Sequence, residues 1–257
     1  MRGAGRFRLT KCTVLLMMVI GAIVVLTSTS ATPARASVPP GPPVFSNPLD
    51  ITNTYQPFKA GALKVFKGRK EGKASVIVDI YLDDTRTFDF GGGDVECHIV
   101  QETEFEGGQL GEVSTNYFAQ GDDGAVYYFG EVVDEYENGV IIAHEGSWLV
   151  GGPTLPSDPV DTANASEPGL FMPANPQVGD AFKPENLFPV VDETVTVIAT
   201  GKRVVVPAGK FLNSIKVRET SQLPGPAEIK YYSPGVGVVR GTTKHESFAL
   251  VATSLRP

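Results

Sequence analysis

The side chains best suited to form a binding site are those of His144 and Glu145, which closely precede Trp148 in the phrase HEGSW. An imidazole, a carboxylate and an indole together can offer polar contacts on an apolar floor, as small-molecule sites often do. Tyr128, in the aromatic run YYF, is the fourth candidate. These four residues are our predicted ligand-binding set. The alternative is that His144 lies at a rim and Trp148 in the core.

Metal and cofactor chemistry has little support in the sequence. The three histidines, His98, His144 and His245, are far apart, so a metal site would have to be assembled by the fold from single ligands. Phosphate-binding glycine loops, nucleophile elbows and HExxH motifs do not occur in the sequence. The turn Asp122-Asp123-Gly124 lacks the alternating ligands of a calcium loop. We therefore expect no metal, no cofactor and no catalytic residues.

Carboxylates could in principle support hydrolysis. Pairs suited to glycoside cleavage can be drawn from Glu131, Asp134 and Glu145. With 29 acidic residues in the chain, however, such pairs arise by chance. A hydrolase therefore ranks third, after the two functions named at the end of this subsection.

The element that must position these residues is a predicted three-stranded meander, residues 115–148. Asp122-Asp123-Gly124 and Asn138-Gly139 are turn signals between apolar runs. In the middle strand Tyr127 and Phe129 face one side, while Tyr128 and Val132 face the other. The third strand, 140–143, is also apolar on both faces. We therefore expect both faces of the meander to be covered.

The whole chain is predicted to be all-β, with a curved antiparallel sheet that is half-barrel or sandwich-like. Runs rich in β-branched residues recur between glycine and proline turns, and long stretches of helical period are missing. Residues 49–257 are interpreted as a single β domain. Residues 151–188 are rich in proline and still carry apolar side chains, so we expect an irregular segment packed over the sheet, burying Trp148.

Residues 1–36 have the pattern of a secretory signal peptide: basic residues, then an apolar run from Val14 to Leu26, then the small-residue site Ala34-Arg35-Ala36. The apolar run is shorter than the ~20 residues that span a bilayer. We expect a secreted or periplasmic protein without a stable membrane anchor after cleavage; an uncleaved anchor is the alternative. Residues 37–48 are predicted to be a proline-rich extended lead-in.

Charge is unevenly distributed. Beyond residue 36 there are 17 basic and 29 acidic residues, a net charge of -12, and Asp79 to Glu145 holds 17 acidic residues against Arg86 alone. Nucleic acid is a poor partner for such a chain, because phosphate binding needs the opposite sign. Two interpretations stay open: a solvated acidic face, or a site for cations or a basic protein.

Two phrases carry a resemblance to known proteins: VPAGKF at 206–211 and YYSPGVGVV at 231–239. This pairing resembles a large group of exported bacterial β-proteins of unknown function. The phrases YFAQGDDGAVYYFGE, HEGSW and MPANPQVGD are similar to a subset described as hypothetical secreted proteins. The resemblance implies a curved antiparallel sheet, similar to the half-barrels that carry lipoproteins or lipids. It implies no activity and no catalytic residues.

Together these patterns favour an exported non-catalytic β-protein that shelters an apolar or amphipathic ligand, such as a lipid or another small apolar molecule. The alternative is an extracellular interaction or matrix protein that uses an acidic cation- or protein-binding face. A lined cavity of at least ~300 Å³ would favour the first function.

Overall fold

The structure is a computed structural model that describes residues 41–256, which contain strands and no helix. Residues 41–256 therefore contain no helix that is long and apolar enough to cross a membrane. The predicted signal peptide, 1–36, lies outside the described residues, as do residues 37–40. The fifteen strands are β1 (Leu63–Lys70), β2 (Lys73–Phe90), β3 (Gly93–Glu106), β4 (Gln109–Gln120), β5 (Val126–Glu137), β6 (Val140–Ala143), β7 (Trp148–Val150), β8 (Ala163–Ala165), β9 (Gly169–Met172), β10 (Ala181–Leu187), β11 (Val191–Val206), β12 (Gly209–Thr220), β13 (Glu228–Ser233), β14 (Gly237–Thr242) and β15 (Glu246–Thr253).

All strands belong to one curved sheet that is nearly closed into a barrel. Its order runs β10-β11-β12-β13-β14-β15-β1-β2-β3-β4-β5-β7-β8, with antiparallel neighbours except for the parallel pair β7 and β8. Strand β9 pairs with β5 and lies against β10, where a Cβ on Gly169 would stand 1.7 Å from the carbonyl oxygen of Pro184. Glycine is therefore required for this close approach. The prediction of an all-β protein with a curved sheet is confirmed.

The sheet carries apolar side chains on both faces, so it has an inner and an outer core. In β5, Tyr128 faces the barrel interior and stacks on Phe118 at 4.9 Å between ring centroids. Tyr127 and Phe129 face outward and pack edge-on against Phe45, with ring centroids 5.5 and 5.3 Å away. The middle strand of the meander, β5, is thus covered on both faces, as its sequence predicts. The turn after β5 is also as predicted, since Asn138 has a φ of 53°.

The third strand of the meander differs from expectation. In β6, Val140 and Ile142 are 65% and 59% exposed. Strand β6 pairs only with the end of β5, at Glu135 to Glu137, beyond the part of β5 that contacts β7 and β9. The prediction that apolar residues there are covered is wrong, because the hairpin extends past both cores.

Residues 151–188 pack on the sheet and also contribute the short strands β8, β9 and β10. Trp148 is 2% exposed and borders the same crevice as Ala165 to Leu170, so it is buried beneath this segment as predicted. On the outer face, the guanidinium of Arg86 holds both carboxylate oxygens of Asp158 at 2.8 Å. This pair fixes residues 153–158 to the far half of β2.

The segment that precedes β1 closes one end of the barrel. The ring of Phe58 stacks on His98 at a centroid distance of 3.6 Å. The carbonyl of Thr54 accepts a hydrogen bond from the backbone N–H of Gly235, and the Asn53 side chain donates to the carbonyl of Pro173. These contacts bring strands from both halves of the chain together at this end, which we call the closed end.

Candidate functional site

The barrel interior contains a cavity of about 420 Å³. Side chains of β1 to β5, β9 to β11 and β13 to β15 line it. The volume lies within the ~300–1,000 Å³ range of small-molecule sites. We call this cavity the lumen.

Aromatic side chains line the lumen towards the closed end. Phe118 of β4 lies directly opposite His98 of β3 in the sheet, and the ring of Phe58 stacks on the His98 ring. Phe171 of β9 packs edge-on against Phe118 and Tyr128, with ring centroids 4.9 and 5.8 Å away. The Tyr128 hydroxyl donates to the side-chain oxygen of Asn116. This part of the lumen is an apolar pocket with a few polar groups.

The remainder of the lumen is strongly acidic. Nine carboxyl side chains and three lysines line it, so carboxyl groups outnumber amines threefold. The carboxyl groups belong to Asp79, Glu102, Glu104, Glu112, Glu131, Glu185, Glu193, Glu228 and Glu246, and the lysines are Lys64, Lys70 and Lys230.

Lys64 and Asp79 form a buried ion pair in adjacent strands, with 3.4 Å between Nζ and Oδ2. The other carboxylate oxygen, Oδ1 of Asp79, is buried and accepts no hydrogen bond from an N–H or hydroxyl group of the described chain. Burial raises the pKa of the Asp79 carboxyl, and the Lys64 charge only partly offsets it. Burial likewise raises the pKa of neighbouring Glu102, with the Asp79 charge adding to it. The carboxyl groups of Asp79 and Glu102 also hydrogen-bond with each other, which requires a proton between them.

Glu131 of β5 and Glu185 of β10 form a second acidic pair. Burial raises the pKa of Glu131 well above its usual range, and both the negative charge of Glu185 and a hydrogen bond with it add to this shift. The pKa of Glu185 is also raised by burial. Two carboxyl groups in such contact hold a proton between them, because both cannot ionise cheaply at short range.

Lys230 of β13 lies among three further acidic residues. Its Nζ is 2.6 Å from Glu219 and 3.4 Å from Glu228. Burial raises the pKa of the Glu219 carboxyl to about 8. The positive charge of Lys230 opposes this increase, and the negative charge of Glu193 adds to it. A single ammonium group thus faces several carboxyl groups, and the local charge is negative whenever they ionise.

The lumen opens at the end opposite the closed end. A second volume of about 520 Å³ shares six lining residues with the lumen and includes residues of the β1–β2, β12–β13 and β14–β15 connections. We call it the mouth. Seven carboxyl groups and two lysines line it, together with His245. Low-dielectric walls of one charge sign concentrate ions of the opposite sign, so the mouth attracts cations.

The structure separates the four residues predicted from sequence to bind a ligand. Tyr128 lines the lumen, and Trp148 packs edge-on behind it at 5.3 Å. His144 lies outside the lumen, where its Nδ1 is 2.9 Å from Oδ1 of Asp134 and 3.0 Å from the carbonyl oxygen of Val133. Glu145 is exposed at the same outer turn. Only Tyr128 of these four contacts the lumen directly.

The acidic residues of the lumen were missed by sequence reasoning, although a signal was present. The excess of acid between Asp79 and Glu145 suggests a solvated face, whereas Asp79, Glu102, Glu104, Glu112 and Glu131 line the lumen. In β2 the alternating residues Ile77, Asp79 and Tyr81 share the inner face. A carboxylate between two apolar residues on one face was the available clue.

The cysteine of the described chain, Cys97, does not line the lumen. Cys97 is fully buried, and burial raises the pKa of its thiol well above the usual value. Between residues 41 and 256, His, Cys, Asp and Glu side chains form no cluster of three or more suited to a metal ion. In this part of the chain, the lumen is therefore the strongest candidate for a functional site.

Comparison with known proteins finds no matching family model and no matching curated protein. Among solved structures, the chain is similar to an inferred exported protein with a YmcC-like fold from Bacteroides fragilis. The two share 13% sequence identity with a TM-score of 0.41, over 79% of this chain and 99% of that one.

Proposed function

We propose that this protein is an exported, non-catalytic β-barrel that shelters a small amphipathic ligand in its lumen. The observation that carries the proposal is the cavity of about 420 Å³, aromatic towards its closed end and polar towards its mouth. Export is supported by the leader pattern of residues 1–36.

The gradient along the lumen is what favours an amphipathic occupant over a wholly apolar one. Phe118, Tyr128 and Phe171 can bury an apolar group. A ligand without a polar group would leave the acidic part of the lumen desolvated and unpartnered, which is costly. A ligand that carries both parts can satisfy both ends at once.

The alternative of an acidic interaction face has less support, because a large share of the carboxyl groups line the lumen instead of the outer surface. One observation still favours a protein contact, namely the exposed apolar hairpin at β6. That contact would be compatible with a ligand carrier.

Native mass spectrometry of the purified protein tests the proposal. We expect a small-molecule adduct on the wild-type protein. Ser114→Phe should abolish it, because Ser114 lines the lumen and a phenyl ring there would occupy the cavity. The matched control is Gln109→Phe, an exposed position of the same strand. An adduct that persists in Ser114→Phe, checked for folding by circular dichroism, would contradict the proposal.

A further inference from the structure

We propose that the ligand of the lumen is a cationic amphiphile, an alkylamine whose ammonium group binds among Asp79, Glu102 and Glu131 while its aliphatic part lies on Phe118 and Phe171. This inference rests on the proposed function and adds to it the chemical class of the ligand.

The first argument is an oxygen atom without a partner. Asp79 is 6% exposed and lines the lumen, and no N–H or hydroxyl group of the described chain donates to its Oδ1. The side chain that hydrogen-bonds with Asp79 besides Lys64 is the carboxyl of Glu102, which needs a proton to do so. A buried carboxylate oxygen without a donor costs about 1–3 kcal/mol or more, so such atoms call for an explanation. An ammonium group supplies three N–H donors and a positive charge, which satisfies this oxygen directly.

The second argument is the charge around that atom. Among the described residues, Lys64 is the amine that pairs with Asp79, and its Nζ lies 3.4 Å from Oδ2. Lys70 is held 2.8 Å from Glu104 and 3.1 Å from Glu106. Lys230 forms ion pairs with Glu219 and Glu228. The protein's own amines therefore leave acidic groups of the lumen without a counter-ion.

The third argument is the acidic pair next to the aromatic pocket. Glu131 interacts with Tyr128, which stacks on Phe118, so the pair it forms with Glu185 adjoins the aromatic rings. An ammonium group beside aromatic faces gains a cation–π attraction in addition to the ion pair. An anionic amphiphile at the same place would meet like charges and be repelled.

The fourth argument concerns entry. The mouth carries seven carboxyl groups against two lysines, so a ligand enters through a negative potential. Such a potential raises the association rate of cations and lowers that of anions, with a strong dependence on salt. Carboxyl groups thus outnumber amines both at the mouth and at the proposed binding position, which favours a cationic ligand at both.

Three probes of equal chain length separate the ligand class from the proposed function. Octylamine, octanol and octanoate share an eight-carbon tail and differ in head-group charge. Binding to the purified wild-type protein is measured by titration calorimetry near neutral pH at fixed ionic strength. We expect octylamine to bind at least about tenfold more tightly than octanol, the size of effect that one charge-assisted hydrogen bond gives. Octanoate should show no measurable binding.

A matched pair of variants tests the position. Glu131→Gln keeps the shape of the side chain but cannot take up the negative charge that the carboxyl gains when an ammonium group replaces the proton it shares with Glu185, so octylamine affinity should fall about tenfold or more. Glu137→Gln makes the same chemical change at an exposed position of the same strand and should leave affinity unchanged. Asp79→Asn is a second lumen variant with the same expected loss. Equal affinity in all three variants and the wild type would overturn the assigned position.

The remaining outcomes are distinct. If octanol or octanoate binds as tightly as octylamine, the cationic class is wrong and the proposed carrier function stands. If none of the three probes binds and no adduct is found, the proposed function fails as well. If calcium chloride at matched ionic strength competes fully with octylamine at similar concentration, an inorganic cation suffices and the inference of an amphiphile is overturned.

Discussion

The ammonium group of Lys64 lies 3.4 Å from one carboxylate oxygen of Asp79, while no N–H or hydroxyl group of the described chain donates to the other oxygen. Both side chains are more than nine-tenths buried. The pair is therefore only partly satisfied. Removing two charges from water costs more than an incomplete pair returns, so this arrangement points to a binding role more than to a stabilising one.

A double-mutant cycle on this pair follows from that relationship. Asp79→Leu alone leaves Lys64 buried without its partner and should destabilise the protein by about 3–5 kcal/mol. Lys64→Met combined with Asp79→Leu should recover most of this loss, because no buried charge remains at either position. Urea unfolding of the four proteins measures the cycle. A double variant as unstable as Asp79→Leu would contradict it.

Trp148 offers a second test, since it is the single tryptophan of the chain. It is 2% exposed and its ring packs against Tyr128. Trp148→Ala should cost about 3–5 kcal/mol, the range for emptying an aromatic core position, and Trp148→Phe should cost clearly less. Fluorescence emission of the folded wild-type protein should be blue-shifted from free indole. A loss below about 1 kcal/mol for Trp148→Ala would place the ring at the surface.

Local features of this fold could be predicted from sequence. The turn at Asn138-Gly139 follows from residues that tolerate a positive φ, and the covered faces of β5 follow from the apolar residues on both sides. Closure of the barrel could not be predicted. It depends on β9 joining β5 and lying against β10 through Gly169, a long-range contact in a proline-rich segment without periodicity.

The acidic lumen was not predicted for a different reason, although Asp79 between two apolar residues was a clue. Alternation arguments assign charged residues to solvent, and for most strands this is correct. In β2, Asp79 shares the inner face with Ile77 and Tyr81, so the alternation alone cannot say that the inner face is wet and charged. Only the curvature of the whole sheet places Asp79 of β2 and Glu131 of β5 in the lining of one cavity.

The outer ion pair gives a third prediction. Arg86 and Asp158 have side chains 5% and 3% exposed, and the guanidinium also stacks between Phe88 and Tyr117 at 4.9 and 5.0 Å from the ring centroids. Arg86→Met should destabilise the protein by about 3–5 kcal/mol, because Asp158 loses its counter-ion. Limited proteolysis should then cut within residues 151–158.

Arg203→Met is the control for that experiment, because Arg203 is exposed on β11. It should change the free energy of unfolding by less than about 0.5 kcal/mol. Equal protease resistance of the wild-type and Arg86→Met proteins would show that the pair does not hold residues 151–158.

The lumen also predicts how stability depends on pH. Burial raises the pKa of Glu219 to about 8 and raises that of Glu131 in the same direction. A carboxyl whose pKa is higher in the folded state favours folding while it is protonated, so this contribution is lost as pH rises from about 5 towards 9. Asp158 works oppositely: its pKa is lowered, because its hydrogen bonds with Arg86 and two backbone N–H groups outweigh the effect of burial. That contribution is lost below about pH 4.

We therefore expect the melting temperature to be highest near pH 5 and to fall by at least about 5 °C between pH 5 and pH 9. Differential scanning calorimetry at constant ionic strength measures this. A melting temperature that rises over the same interval would show that the lumen carboxyl groups are already ionised at mildly acidic pH.

The last prediction concerns Glu131, whose carboxyl group should favour cation binding but destabilise the folded protein at high pH. At pH 8.5 the Glu131–Glu185 pair has two unfavourable options. Either both carboxyl groups ionise and repel each other at short range, or the pair retains a proton at a pH where carboxyl groups in water have lost theirs. Glu131→Gln removes this conflict, since the amide donates a hydrogen bond to Glu185 without a charge. The variant should therefore be more stable than the wild type at pH 8.5, by on the order of 1–2 kcal/mol. The gain should shrink towards pH 5, where the wild-type pair holds its proton, and Glu137→Gln should show neither effect. If Glu131→Gln is instead less stable than the wild type at both pH values, the two carboxyl groups do not repel each other in the folded protein.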